Sequence, residues 1–413
     1  MLSPMNPIPT DSKASAEQVR EAFRDRFGRA PEIVVRAPGR VNLLGAHIDT
    51  SEGWVTPAAI DRAVFLAAAR PVPDSDQVPD SDQRRLTMRA LSFNEDATVR
   101  FDELSPPTEP HWSDLPAGVA WALLVDGHEV PGLDVVFASD IPIGAGVSSS
   151  AAVAMAFVLA WKSLGDLDLN GAACAQIGQR AENGFLGLRS GIMDQYASLH
   201  GQRDHLVFLD CRTLKHEMVP LPEGTRVVVA DSGVRRRLAA SGFNDRRAEI
   251  DAAVAEFQRV LDNTDGITTL RDVSRDDFER YSHHLTMPQR RRAAHVIGEC
   301  ERVHAGMAAL REGDVASYHR LVRRSHLSSR DLFEVSIPEI DVLAAAAWSI
   351  PGCYGARLAG GGFGGCVNAL TSPEACDAVV QAMRDAFQKS FDNDPNIFVT
   401  STSDGAASTL LPT

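Results

Sequence analysis

A glycine- and serine-rich segment in the first half of the chain has the composition of an anion-binding turn. It reads PIGAGVSSSAA over residues 142–152. Its glycines let the backbone come close to an anion, and its three consecutive serines offer hydroxyl groups. Apolar spacing predicts a helix over residues 149–164, whose free N–H groups and positive end would face the segment. The segment lacks the Gly-Lys-Ser/Thr ending of a Walker loop, and alone it could equally be a helix-capping turn.

Two acidic residues stand in short motifs twelve residues apart. Glu182 lies in RAENGF, and Asp194 follows twelve residues later in GIMDQ. Carboxylate oxygens are hard ligands that suit Mg²⁺, and a carboxylate beside a hydroxyl can act as a general base. A lone residue of this kind is more often a surface or capping carboxylate, so the assignment needs further support.

The bulk composition is that of a globular enzyme. The 413 residues are enough for two or three compact domains with a sizeable core. The net charge of −14 argues against nonspecific nucleic-acid binding. The six cysteines form no CxxC pair, so we expect reduced thiols without disulfides or zinc. There is no 18-residue apolar run and no signal-peptide pattern, so we expect a cytoplasmic protein with no membrane association and no evident obligate protein partner.

The order of predicted elements indicates an α+β fold without strict βαβ alternation. β-Branched runs predict strands at 32–36, 63–69, 133–137 and 227–230. Apolar spacing predicts helices at 149–164, 243–262, 290–311 and 316–327. An exact tandem repeat of VPDSDQ at 72–83 predicts a surface-loop insertion.

Four segments together resemble the galactokinases, a branch of the GHMP small-molecule kinases. RAPGRVNLLGAHIDT at 36–50 closely resembles the substrate-binding signature of that family. The segment at 142–152 is similar to the family's PxGxGLSSSAA motif, and GARLAGGGFGGC at 355–366 is similar to its GSRxTGGGFGG loop. SHLSSRDLFEVS at 325–336 resembles its SHxSLRDxxEVS stretch. The resemblance runs from about residue 20 to about residue 400.

This resemblance implies a two-lobed α+β structure with the site between the lobes. The N-terminal lobe would be ribosomal-protein-S5-like over 20–215, and the C-terminal lobe ferredoxin-like over 216–400. Residues 1–19 and 401–413 would be tails. The implied reaction is phosphorylation by ATP of the anomeric hydroxyl of a hexose.

The resemblance also assigns roles to individual residues. Asp194 matches the general base, and Arg40 would lie beside it and stabilise charge on the transferred phosphoryl group. Glu182 matches a ligand of Mg²⁺, with Ser150 as its partner ligand. ATP would bind Gly144, Ala145, Gly146, Val147, Ser148, Ser149 and Ser150. The sugar would contact Ala46, His47, Ile48, Asp49, Gly191 and Phe243.

The departures from the family pattern cluster around the sugar. Ala46 stands where the signature has a glutamate that accepts a hydrogen bond from the C6 hydroxyl, and Thr50 replaces a tyrosine. Phe243 replaces a tyrosine whose hydroxyl contacts substrate. Additional arginines, any of which could reach the sugar, stand at Arg236, Arg237 and Arg324.

The substitution at Ala46 raises the question of which sugar is bound. Losing the charged acceptor would weaken galactose binding by roughly 1.5–3 kcal/mol. A C6 carboxylate facing glutamate would be repelled by about 4 kcal/mol at ~4 Å and an effective dielectric constant of about 20. Alanine removes this repulsion, and GAHID also looks like the sequence of plant galacturonokinases, so D-galacturonate is modestly favoured. The alternatives are D-galactose, L-arabinose, which has no C6 group, and a sensor that binds sugar and ATP without turnover.

Overall fold

The computed structural model describes residues 14–72, 84–234, 239–262 and 266–412. Residues 1–13 of the predicted N-terminal tail and nearly all of the VPDSDQ repeat lie outside the described residues. Within the described part of the chain, no helix is long and apolar enough to cross a membrane.

The strands of the described residues are numbered in chain order. They are β1 (Ile33–Asn42), β2 (Trp54–Val55), β3 (Pro57–Ala69), β4 (Arg85–Ala90), β5 (Glu95–Arg100), β6 (Leu133–Ser139), β7 (His205–Asp210), β8 (His216–Pro220), β9 (Arg226–Asp231), β10 (Cys353–Ala359), β11 (Cys366–Thr371), β12 (Asn396–Ser401) and β13 (Ala407–Leu410).

The α-helices are numbered in the same way. They are α1 (Ala16–Phe27), α2 (Asp114–Val125), α3 (Ser149–Leu164), α4 (Gly171–Arg180), α5 (Met193–His200), α6 (Ala239–Leu261), α7 (Arg275–Tyr281), α8 (Met287–Arg311), α9 (Val315–Asp331), α10 (Pro338–Trp348) and α11 (Cys376–Ser390).

The strands form three sheets. The first has the order β13-β1-β3-β6-β4-β5 and is antiparallel except for the parallel pair β4–β6. The second has the order β10-β11-β9-β12, and the third is a small sheet of β2, β7 and β8. Both larger sheets carry helices, so the observed architecture is α+β, as the sequence predicts.

Helix α3 occupies the centre of the first lobe because it is apolar on nearly every face. Its sequence is SSAAVAMAFVLAWKSL, and it packs against β1 and β3. Helix α1 covers the other face of the same sheet, where Val19 and Phe23 pack against Val34 and Val136. The first sheet is therefore buried on both faces, and the N-terminus of α3 is held in a fixed position.

The predicted limits of the tails and lobes differ from the structure at three places. Helix α1 begins at Ala16, inside the predicted tail 1–19, because Ser15 caps it by accepting a hydrogen bond from the backbone of Gln18. The predicted boundary at 215/216 would separate β7 from its hydrogen-bonded partner β8 and so cut through the small third sheet. The predicted C-terminal tail instead contains β13, which pairs with β1 and so protects the edge of the first sheet.

The C-terminal strand leads to a prediction about stability. A chain that ends at Asp404 loses β13 together with the hydrogen bonds from Gly405 N to Gly201 O and from Ala406 N to Ser198 O. We expect its thermal midpoint to fall by several degrees, roughly the effect of losing 1–3 kcal/mol. A chain that ends at Leu411 keeps these bonds and serves as the control. Equal midpoints in the two chains would contradict a stabilising role for β13.

Candidate active site

Arg40 and Asp194 form a two-pronged ion pair at the centre of the candidate site. Arg40 Nε donates to Asp194 Oδ1 at 2.7 Å, and a terminal guanidinium nitrogen donates to Oδ2 at 2.9 Å. The other terminal nitrogen of Arg40 donates to the carbonyl of Gly146 at 2.7 Å. Ser148 Oγ donates to Asp194 Oδ2 at 2.5 Å. The predicted base, its charged partner and the glycine- and serine-rich segment at 142–152, called the phosphate segment below, are therefore joined directly.

The local backbone explains how β1 delivers Arg40 to this position. The pairing of β1 with β3 shifts register between Pro38 and Arg40. Gly39 lies in this bulge, and a Cβ there would come within 2.6 Å of the carbonyl of Val147. Only glycine therefore allows the strand to approach the phosphate segment so closely.

Most of the predicted site residues line one cavity of about 370 Å³. They are Arg40, Ala46, His47, Asp49, Gly144, Gly146, Ser148, Ser149, Ser150, Gly191 and Asp194. Among the predicted residues whose side chains are described, Ala145, Val147, Ile48 and Glu182 do not line it. The side chains of Ala145, Val147 and Ile48 are buried in the core, so for these positions only the backbone remains available to a ligand.

Glu182 lies in a π-helical turn, Ala181–Phe185, that continues from α4. Its carboxylate is buried and accepts hydrogen bonds from Ser190 Oγ at 2.7 Å and Gln195 Nε2 at 2.9 Å. The hydroxyl of Ser150 is near enough to lower the pKa of Glu182, so the two predicted Mg²⁺ ligands are adjacent. Burial raises the pKa of Glu182, and the charge of Asp194 raises it further.

Asp49 projects into the cavity beside the predicted base. A Cβ at position 191 would lie 2.1 Å from Asp49 Oδ2, so Gly191 leaves the only room for this carboxylate. Burial raises the pKa of Asp49 to about 6, and the negative charge of Asp194 contributes to the same effect. Because a pKa of about 6 is still below neutral pH, the carboxylate can accept hydrogen bonds from the hydroxyl groups of a ligand.

The second lobe holds the segment that contains Ala46. Glu299 on α8 accepts hydrogen bonds from the backbone N–H groups of Gly45 at 3.0 Å and Ala46 at 3.1 Å. His295, one turn earlier, donates from Nε2 to the carbonyl of Ala46 at 2.9 Å. Burial lowers the pKa of His295 to about 4, so this imidazole is neutral.

His47 is held in the left-handed region of backbone conformation, with φ of 56°. Its ring stacks on Phe333 with ring centroids 4.9 Å apart, and burial lowers its pKa well below the ordinary value. The backbone before His47 is held from the second lobe, and the carbonyl of Ile48 after it accepts a hydrogen bond from Gly53 N at 2.8 Å, so the unfavourable φ is maintained by its surroundings. A neutral ring in this position can present one hydrogen-bonding nitrogen without adding charge.

The arginines considered from the sequence do not account for the positive charge in the cavity. Arg324 is exposed on α9 and does not line the cavity. Arg236 and Arg237 lie outside the described residues, and of Phe243 only its place in α6 is described. The charged residue that sequence reasoning missed is Arg357, which lines the cavity from β10. Its position in the glycine-rich loop at 355–366 was the available signal.

Comparison with known families agrees with this geometry. The model for the galactokinase galactose-binding signature matches residues 21–70. Models for the N-terminal and C-terminal domains of GHMP kinases match residues 114–202 and 307–389. A galactokinase from Roseiflexus sp. (strain RS-1) is 41% identical over 94% of this chain and 96% of its own length. The chain belongs to the galactokinase family.

Other relatives extend this result. Galactokinases from Chloroflexus aggregans and Bos taurus are 40% and 37% identical and are covered over 90% and 95% of their lengths. The crystal structure of Lactococcus lactis galactokinase complexed with galactose matches with a TM-score of 0.86 at 28% identity, covering 94% of this chain and 98% of that one. A mevalonate kinase at 16% identity and a TM-score of 0.59 shares the fold. The expected two-lobed GHMP kinase fold is thus confirmed, and the chain is a sugar kinase.

The elevated pKa of Asp49 predicts an unusual dependence of stability on pH. Folding raises the pKa of Asp49 from 3.8 to about 6. Ionisation of Asp49 therefore lowers the free energy of unfolding progressively between these two pH values and by its full amount at higher pH. Asp49→Asn should therefore stabilise the unliganded protein by about 1–2 kcal/mol at pH 8 and by almost nothing at pH 4. Thermal unfolding at the two pH values measures the difference.

Substitution of Asp210 is a control that should change stability in the opposite direction. Burial of Asp210 is outweighed by hydrogen bonding to Arg271, which lowers the pKa of this carboxyl to about 2. Asp210→Asn should therefore lose stability at pH 8. If Asp49→Asn were equally stabilising at both pH values, the elevated pKa of Asp49 would be disproved.

Proposed function

We propose that the protein transfers the γ-phosphoryl group of ATP to the anomeric hydroxyl of a galactose-configured sugar. The observation that carries this proposal is the ion pair of Arg40 with Asp194, which stands where the sugar signature meets the phosphate segment. Membership of the galactokinase family supports the same reaction.

In the proposed mechanism Asp194 accepts the proton of the C1 hydroxyl. The C1 oxygen then bonds to the γ-phosphorus while the bond from that phosphorus to the β–γ bridging oxygen breaks, and ADP leaves. Asp194 Oδ1 and Oδ2 are both held by hydrogen bonds, so the base is oriented before the sugar binds. Arg40, which also donates to Gly146, stabilises charge that develops on the phosphoryl group.

The phosphate segment is suited to ATP because of where it stands on the fold. Ser148 precedes α3 and adopts φ of 61°, so the segment turns sharply into the helix. Ser149 and Ser150 at the start of α3 line the cavity, and the first N–H groups of a helix have no partner within it. These groups would bind the phosphates of the nucleotide.

The residues present also fit Mg²⁺. Among the described residues, no group of three or more His, Cys, Asp or Glu side chains is arranged to hold a metal. A Mg²⁺ ion keeps several water ligands and binds few carboxylates, so Glu182 and Ser150 with the nucleotide phosphates are a suitable set. The ion would neutralise phosphate charge during transfer.

The identity of the sugar substrate is a separate part of the proposal. The named relatives are galactokinases, which supports D-galactose and does not support a preference for D-galacturonate. D-Galacturonate stays the second candidate because the buried methyl group of Ala46 lines the cavity where the family signature has glutamate. The intact pair of Arg40 and Asp194 disfavours a sensor without turnover. Cytoplasmic location and the absence of an obligate partner stay predictions.

A sugar panel tests the proposed function. ADP release from ATP should be measured by a coupled assay with galactose, galacturonate, L-arabinose and N-acetylgalactosamine. We expect turnover with at least one galactose-configured sugar. ADP release that no sugar stimulates would contradict the kinase reaction, and a tenfold or greater preference for galactose would end the galacturonate hypothesis.

The first mutational prediction concerns the base. Asp194→Asn keeps the shape of the side chain but removes its charge and its ability to take a proton. Turnover should fall by at least about a hundredfold. ATP binding, measured by calorimetry, should largely survive because the phosphate segment is unchanged. Near-normal turnover by the folded variant would remove Asp194 from this role.

The second mutational prediction concerns the metal. Glu182→Gln should raise the Mg²⁺ concentration needed for half-maximal activity, because it removes the one carboxylate expected to bind the ion. Ser190→Ala is the matched control, since Ser190 contacts the same carboxylate without being a proposed ligand. The Mg²⁺ dependence should shift much more in Glu182→Gln than in the control. An equal dependence in the two variants would speak against a metal site at Glu182.

A further inference from the structure

Arg357 is a buried arginine whose hydrogen-bonding capacity is largely unused. It lies on β10, is only 2% exposed and lines the same cavity as Ala46 and His47. Among the described residues, neither Nε nor the buried terminal nitrogen Nη1 has a hydrogen-bond acceptor. An unsatisfied guanidinium in such a place needs an explanation, because buried charged donors are normally paired.

Two of the carboxylates near Arg357 are already bonded to other cations. Asp194 is bonded to Arg40. Glu299 attracts Arg357 but uses both oxygens elsewhere, accepting from Ser325 Oγ at 2.5 Å and from Arg302 Nε at 2.6 Å. Arg40 and Arg302 in turn repel Arg357.

The chemical environment of Arg357 therefore calls for an anion. Burial lowers the pKa of Arg357 to about 10, with repulsion from Arg40 adding to the effect, yet the group stays charged at neutral pH. A ligand carboxylate in the cavity would supply the missing acceptor, and the planar guanidinium could bind it through two parallel hydrogen bonds.

We propose that Arg357 is a specificity-determining residue that pairs with a C6 carboxylate of the sugar, so that the site accepts a hexuronate. This inference rests on the proposed sugar 1-kinase function and adds the residue that distinguishes its substrates. Ala46 lines the same cavity, and its methyl group cannot neutralise Arg357 from within the protein as a carboxylate could. A C6 hydroxyl, or no C6 group at all, would leave the guanidinium uncompensated.

The decisive experiment compares sugars within each variant. In Arg357→Met, kcat/KM for galacturonate should fall by about tenfold to a hundredfold more than kcat/KM for galactose. Arg357→Lys should recover part of the lost kcat/KM for galacturonate, since lysine keeps the positive charge but cannot donate two parallel hydrogen bonds to a carboxylate. Arg324→Gln is the matched control, because it removes one arginine charge from an exposed site outside the cavity and should leave the ratio unchanged.

A second variant keeps the proposal testable if Arg357→Met does not fold. Ala46→Glu supplies a carboxylate from within the protein. It should raise the thermal midpoint of the unliganded enzyme, lower activity on galacturonate and raise activity on galactose. In the wild type, galacturonate should also raise the thermal midpoint more than galactose does, a readout that does not depend on turnover.

The contrary outcomes are distinct. If Arg357→Met lowers activity equally on every sugar, Arg357 serves the phosphoryl group or the fold, and the inference is wrong. Wild-type enzyme that uses galactose but neither binds nor phosphorylates galacturonate also overturns it, while leaving the sugar-kinase function intact. Failure of every sugar to stimulate ADP release would overturn the proposed function, and the inference with it.

Discussion

The ion pair between Arg40 and Asp194 is the interaction on which the organisation of the site depends. It joins β1 to the start of α5, and through the carbonyl of Gly146 it reaches the phosphate segment. These three elements are far apart in sequence, and this partly buried ion pair holds the predicted base beside the phosphate segment. Loss of either partner would leave an uncompensated charge in a cavity as well as remove a group to which we assign a catalytic role.

The second lobe completes this arrangement by fixing the sugar signature. Glu299 and His295 bind the backbone at Gly45 and Ala46, and Phe333 stacks on the ring of His47. The buried charges of this network are paired or hydrogen-bonded, with Arg357 as the exception among the described residues discussed here. The interface between the lobes therefore both shapes the cavity and leaves one cation for a ligand to neutralise.

Much of the fold was predictable because its signals are local. The predicted helix at 149–164 agrees with α3, since an apolar run directly after a turn leaves little choice of register. The strand predictions at 63–69 and 133–137 fall within β3 and β6. The pairing of β13 with β1 was missed because the strand's exposed side chains carry no pattern, and only the backbone partner stabilises it.

The site was predictable only in part for a related reason. Motif resemblance predicted that Arg40, Glu182 and Asp194 share one site, because each stands in a contiguous signature, and the structure brings Arg40 and Asp194 into contact. It could not show that Glu299 would bind the backbone at Ala46 from about 250 residues away. Nor could it show that Arg357 would be left without an acceptor, since that depends on which carboxylates the fold has already engaged.

The position of the phosphate on the product tests the central claim most directly. The sugar that supports turnover should be incubated with enzyme, ATP and Mg²⁺, and the product examined by phosphorus and proton magnetic resonance. If Asp194 activates the anomeric hydroxyl as proposed, the product should be a sugar 1-phosphate whose anomeric proton is coupled to phosphorus. A phosphate on any other hydroxyl, or only inorganic phosphate, would contradict it.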